Sequence, residues 1–196
     1  MKRRVIFATK NSGKLREVNH ILGDRDYELL SLYDFNNVGE IIEDGLTFEQ
    51  NAIKKAIYVF EKFMLPVIAD DSGLVVDQLN GEPGIYSARY AGENATDEEN
   101  NFKVLSKIKD FPKPHRAKFF CSAVYYDGAK LLTAEGEVLG QIIHELRGKN
   151  GFGYDPLFLP DGYDQTTAEL NLNEKNKISH RSKAFRLLFE KIVRGE

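Results

Sequence analysis

The sequence predicts an α/β protein built on an extended mixed sheet. Strand-like and helix-like patterns alternate through the first 80 residues, and a continuous β pattern fills 116–143 around one tight turn. A final amphipathic stretch at 181–193 closes the chain with a helix.

The elements follow in order. "RVIFAT" (4–9) is β-branched and aromatic and reads as a buried strand, and "GKLREVNHIL" (13–22) spaces Leu15, Val18, Ile21 and Leu22 as a helix does. "YELLSL" (27–32) predicts a second strand. Thr47 and Gln50 fit a capping box that opens a helix through "FEQNAIKKAIYVFEKF". "PVIAD" (66–70) predicts a strand, with "LVVDQL" (74–79) extended after it and "NGEPGIYSARYAGENA" as loop. Thr96 and Glu99 form a second capping box before "DEENNFKVLSKI", and Asp127-Gly128 is the hairpin turn within 116–143.

Bulk properties exclude several classes. A chain of 196 residues, 42% apolar and 29% charged, buries a core as one domain spanning 1–196, either one large body or two interlocked lobes. The net charge of −3 offers no basic field for nucleic acid. The lone Cys121, in the strand-like "KFFCSAVYY", forms no internal disulfide and reads as a buried inert thiol. The apolar run after the basic N-terminus is five residues long, too short for a signal peptide, and no run of about 18 apolar residues spans a membrane. A soluble, cytoplasmic protein is expected.

Four constellations carry chemistry. "ATKNSGKL" (8–15) joins a strand to a helix N-terminus with Thr9, Lys10, Asn11, Ser12, Gly13 and Lys14. It is built like a phosphate cradle, although it lacks the Walker A pattern, and plain capping by Ser12 is the alternative. "VIADDSGLVVD" (67–77) places Asp70 and Asp71 at the end of a buried strand. An acidic turn, a phosphatase nucleophile and half of a metal site all suit that composition, the nucleophile least because D-x-D is absent. A magnesium site needs one or two carboxylates besides substrate phosphates, and "EIIEDGLTF" (40–48) offers Glu40, Glu43 and Asp44, of which Glu43 would join Asp71. "GFGYDPLF" (151–158) offers Phe152 and Tyr154 as stacking faces between Gly151, Gly153 and Asp155, or else an aromatic loop packed on the core. "EKNKISHRSKAF" (174–185) brings Lys175, His180 and Arg181 to the start of the last helix, as donors to a base or phosphate or as solvated neighbours of a cap. The four histidines show no zinc spacing.

Taken in sequence, "TKNSGK", "EDGLTFEQNAIKKA", "ADDSGLVVD", "GEPGIYSARYAG", "GFGYDPLF" and "KNKISHR" closely resemble the inosine triphosphate pyrophosphatase family, from Thr9 to Arg181. The resemblance implies a two-lobed α/β fold around a long mixed sheet, with the active site in the cleft between lobes. It implies Mg²⁺-dependent hydrolysis of ITP, dITP and XTP to monophosphate and pyrophosphate, by a homodimer. It also implies that residues Thr9 to Lys14 cradle the triphosphate and that Glu43 and Asp71 hold Mg²⁺. Asp71 is then the proton acceptor, and Asp70 a helper or ligand of a second metal. Ser72 contacts substrate, Phe152 to Asp155 form the base loop, and Lys175, His180 and Arg181 read the base. Lys55 reaches the phosphates. On this reading Arg181→Ala affects base preference more than stability.

Three rivals remain on the residues alone. A Maf-like nucleotide pyrophosphatase lacks reason for the "SHR" and "GFGYDP" segments, a nucleotide sensor has no use for a base beside a metal, and a nucleic-acid binder conflicts with the charge.

Overall fold

A computed structural model describes residues 2–23 and 26–195. Its helices are α1 (Ser12–Leu22), α2 (Phe48–Phe63), α3 (Asp97–Ile108), α4 (Leu172–Ile178) and α5 (His180–Arg194). Its strands are β1 (Arg3–Phe7), β2 (Tyr27–Ser31), β3 (Val67–Val76), β4 (His115–Tyr126), β5 (Leu131–Ile142) and β6 (Phe158–Pro160). The six-stranded sheet has the order β2-β1-β3-β4-β5-β6 and is mixed: β1 runs parallel to β2 and β3, whereas β5 and β6 are antiparallel.

Contacts divide the chain into two compact units. Unit 1 comprises residues 1–71, 121–136 and 181–196, and unit 2 comprises 72–120 and 137–180. In unit 1, alternation along the strands feeds two apolar layers. Val5, Phe7 and Ile68 pack with Val18 and Ile21 of α1 and Phe185, Leu188 and Phe189 of α5. The intervening Ile6, Val67 and Ala69 pack with Ala52, Ala56 and Val59 of α2. Unit 2 has its own core, in which Leu74 and Val76 meet Val104 and Ile108 of α3, Phe119, Val138, Leu157 and Phe158.

Local chemistry explains the element ends. Thr47 caps α2 by accepting from the Gln50 amide, but Gln50 Oε1 accepts from Leu46 rather than from the Thr47 amide, so only half of the expected box forms. At α3 both halves form between Thr96 and Glu99. Asp127 closes the hairpin by accepting from the Ala129 and Lys130 amides at 3.0 and 2.8 Å.

Three expectations need correction. The helix α1 is capped by the Asn11 side chain, which accepts from the Lys14 amide at 2.9 Å, and not by Ser12, which already lies in the helix. "DDSG" is neither a turn nor the end of a strand, because β3 runs unbroken from Val67 to Val76 through it. Its flanking apolar runs are the two halves of one strand. Lastly, "LNEKNKI" forms α4, whose capping box between Asn171 and Glu174 escaped the sequence reading. Among the described residues no helix is long and apolar enough to cross a membrane.

Candidate active site

In unit 1 the strand period decides what each aspartate does. Asp70 shares the face of Ile68, toward α1 and α5, and Asp71 shares that of Val67 and Ala69, toward α2. Adjacent carboxylates therefore serve two different clusters.

The Asp70 cluster rests on α1. Lys14 and Glu17 are three residues apart and so lie on one helical face. Lys14 Nζ is 3.0 Å from Asp70 Oδ2, Arg181 Nε is 3.2 Å from the same oxygen, and Arg181 Nη1 donates to Glu17 Oε2 at 2.5 Å. Burial by itself would raise the Asp70 pKa, but Lys14, Arg181 and Lys55 together hold its carboxyl well below the usual carboxylate range. Cys121 Sγ lies 3.8 Å from Asp70 Oδ2, and burial with that carboxylate pushes the thiol up, which makes it the inert group expected. Asp70 Oδ1 is buried without a hydrogen-bond partner among the described residues.

The Asp71 cluster rests on α2. Asn51 and Lys55, four residues apart, both face Asp71: Asn51 Nδ2 donates to Asp71 Oδ2 at 3.0 Å, and Lys55 Nζ lies 3.8 Å from Oδ1. The same ammonium is 2.8 Å from Glu43 Oε2. Asn51 Oδ1 accepts from the Gly45 amide at 2.8 Å, so one fully buried side chain ties Asp71 to the segment that carries Glu43. Burial raises the Asp71 pKa, against the pull of Lys55 and Lys14, and Glu43 adds to the rise. Lys55 is held charged: burial alone would lower its pKa, and Asp71, Glu43 and Asp70 raise it. Glu40 is exposed on a different cavity of about 400 Å³, with Ile41, Ile42, Asp44 and Lys54, so it is Glu43 that stands beside Asp71.

The two clusters set three cations (Lys14, Lys55, Arg181) against four carboxylates (Glu17, Glu43, Asp70, Asp71). That leaves room for added positive charge. Glu43 and Asp71, two hard oxygen donors around one ammonium, fit an ion of the magnesium kind, which takes few protein ligands and completes its shell with water and phosphate. Among the described residues no group of three or more His, Cys, Asp or Glu side chains forms a self-sufficient cage.

The remaining cradle residues are shaped by their own side chains. The Asn11 amide donates to Thr9 Oγ1 at 3.1 Å, Thr9 and Gly13 are buried, and Lys10, Asn11 and Ser12 are exposed. The Tyr33 hydroxyl donates to the Lys10 carbonyl. Backbone amides and the Lys14 ammonium thus gather at one helix start.

Unit 2 holds a different kind of site. Asp155 is buried, and its Oδ2 accepts from the Phe152 amide at 2.9 Å and from Lys175 Nζ at 2.5 Å, while Oδ1 accepts from Thr167 Oγ1 at 2.9 Å. Lys175 Nζ also lies 5.1 Å from the Phe152 ring centre. Gly151 takes φ +76°, and a Cβ there would stand 1.9 Å from Asp155 Oδ2, so the carboxylate can reach the loop only over a glycine. Tyr154 is buried and donates to the Ser87 carbonyl at 2.8 Å. His180 stacks on Phe119 with centroids 4.9 Å apart, a core ring of unit 2, and Ser72 is half-buried in β3.

The structure thus gathers the predicted residues into two groups: Thr9–Lys14, Glu43, Lys55, Asp70, Asp71 and Arg181 in unit 1, and Ser72, Phe152–Asp155, Lys175 and His180 in unit 2. His180 and Arg181 are consecutive yet belong to different units. Arg181 is 1% exposed and binds two buried carboxylates, so its removal is expected to lower stability as well as to alter any contact with the base. Glu17 and Asn51 were missed. Their signal was present, as polar residues at i+3 from Lys14 and i−4 from Lys55 on otherwise apolar helix faces.

The sequence pattern of the Ham1 family matches residues 5–191. The chain is 51% identical over 187 residues to a dITP/XTP pyrophosphatase of Geobacter sulfurreducens, covering 94% of each chain. It is 50% identical over 186 residues to one from Bacillus licheniformis, covering 94% and 95%. A solved HAM1 protein from Coxiella burnetii superposes with a TM-score of 0.89 at 39% identity, covering 98% of this chain and 99% of that one.

Proposed function

The chain belongs to the Ham1 family, and we propose that it hydrolyses non-canonical purine nucleoside triphosphates (ITP, dITP and XTP) to the monophosphate and pyrophosphate. The observation that supports this most directly is Asp71, a buried carboxyl of raised pKa gripped by Asn51 and Lys55 beside Glu43. In this reading residues 9–14 receive the triphosphate through backbone amides and the Lys14 ammonium. Water attacks phosphorus, its proton passes to the Asp71 carboxylate, and the bond between the α- and β-phosphates breaks. Lys55 neutralises charge near that carboxylate. Glu43 and Asp71 would hold a magnesium ion, which when bound would neutralise phosphate charge and favour deprotonation of water.

Phe152 stacks on the purine, and Lys175 donates to its 6-oxo oxygen. Adenine presents an amine at that position, which leaves the donor unpaired and disfavours ATP. Arg181, through Asp70 and Glu17, positions the charged floor of unit 1. Homodimerisation and a cytoplasmic setting complete the reading.

The test is the initial rate of pyrophosphate release from ITP, XTP, GTP and ATP, with magnesium and with a chelator. Metal-dependent preference for ITP and XTP is the expected result. Equal rates on all four would remove the base selectivity, and no release would leave a nucleotide sensor.

A further inference from the structure

The Phe152 loop is fastened by two side chains that no part of the reaction above uses. Both backbone groups of Gly153 are taken by α3: its amide donates to Asp97 Oδ2 at 2.6 Å, and its carbonyl accepts from Asn101 Nδ2 at 3.0 Å. Asp97 and Asn101 are four residues apart on α3, so one helical face presents an acceptor to the N–H and a donor to the C=O of a single residue. Asn101 is 3% exposed, so its amide sits in a place where an unmade hydrogen bond is costly. Gly153 has φ +61°, but a Cβ there would meet nothing within 4 Å. The glycine is needed for backbone angle, not for space, and the two α3 side chains hold that angle.

The neighbouring Asn100 does the same for another segment. Its Oδ1 accepts from the Ala91 amide at 2.8 Å, and its Nδ2 donates to the Ala88 carbonyl at 3.2 Å. Tyr154 ties the Phe152 loop to that segment through the Ser87 carbonyl. Helix α3 is therefore the rigid rail to which both loops are pinned, and rigid elements position binding groups more accurately than loops do.

We propose that Asp97 and Asn101 are positioning residues for nucleotide binding: by clamping both backbone groups of Gly153 they hold the Phe152 ring and the Asp155–Lys175 pair in the arrangement that receives the purine. The inference rests on the reading that Phe152 stacks on the base. A preset loop binds without first having to be ordered, so its loosening raises KM and leaves the chemical step alone.

The experiment is steady-state kinetics on ITP with magnesium for Asn101→Ala, Asp97→Ala, Asp97→Asn, Phe152→Ala and the double variant Asn101→Ala/Phe152→Ala, each checked by thermal melting. Asn101→Ala is expected to raise KM about tenfold with kcat within about twofold, the size of a lost buried hydrogen bond, and Asp97→Ala, whose bond is exposed, about threefold. Asp97→Asn, which keeps an acceptor oxygen, stays near the parent. The double variant is expected to raise KM by less than the product of the two single effects, because part of the clamp's action passes through that ring. A rise in KM for Phe152→Ala with none for Asn101→Ala or Asp97→Ala overturns the inference and leaves the stacking reading standing. So does a double variant whose effects simply multiply. If Phe152→Ala itself leaves KM unchanged, the stacking reading fails and the inference falls with it.

Discussion

Unit 1 buries Asp70, Lys55 and Arg181 within a chain of ion pairs, while unit 2 buries the Asp155–Lys175 pair under an aromatic ring and ties its loop by backbone hydrogen bonds. The first arrangement suits a ligand of high charge, since each carboxylate is already opposed by a cation and the remaining imbalance favours a metal ion with its phosphates. The second suits a flat, weakly polar ligand, offering a π-face and a few donors. The difference teaches that stability and function are entangled at Asp70 and Arg181 of unit 1, where removing a charge strands its partner, and are separable at the uncharged Phe152 ring of unit 2.

The largest test of that contrast is Asp71→Asn. The amide keeps the shape and a hydrogen bond with Asn51 but accepts no proton, so turnover is expected to fall by about 10³-fold or more, with the melting temperature within about 3 °C of the parent. Pyrophosphate release and a thermal melt check it, and near-normal turnover would remove Asp71 as base. Next comes Arg181→Ala, expected to destabilise the protein by about 3–5 kcal/mol because Asp70 and Glu17 lose their guanidinium. Urea unfolding measures this, and a loss below about 1 kcal/mol would break the picture of a charge-dependent unit 1.

Smaller effects are expected in unit 2. Phe152→Ala is expected to raise KM for ITP about tenfold while leaving stability within about 1 kcal/mol, since the side chain is only partly buried and a stacked base is worth roughly 1–3 kcal/mol. A large drop in melting temperature would show that the ring supports the fold instead. The smallest effect concerns pH. The folded pKa of Asp70 is depressed below its unfolded value near about 3.9, so its stabilisation is present above that value and is lost as pH falls through the folded pKa. The stability gap between the parent and Asp70→Asn should therefore narrow, by less than about 1 kcal/mol, between pH 7 and pH 3.5. A gap independent of pH would place the Asp70 effect in packing alone.

Much of the fold was legible because its signals are local. Apolar period, the Thr96–Glu99 capping box and the Asp127-Gly128 turn each act within a few residues, and each was found where expected. Helix α4 escaped because a seven-residue amphipathic run carries little period, and "ADDSG" misled because turn composition was overridden by pairing within a long strand.

The site divides in the same way. Residue types and order marked Lys14, Glu43, Asp71, Phe152 and Lys175, with Glu43 favoured over Glu40, and the structure sets Lys55 between Glu43 and Asp71. The sequence by itself determined the chemical inventory: paired carboxylates, a cationic helix start and a glycine-flanked aromatic. Only the tertiary structure decided the assignments. Strand alternation sent Asp70 and Asp71 to opposite faces, and chain return brought Arg181 to Asp70 across 111 positions of sequence. Contacts of that range depend on which faces the sheet buries, a property of the whole packed chain and not of any window within it.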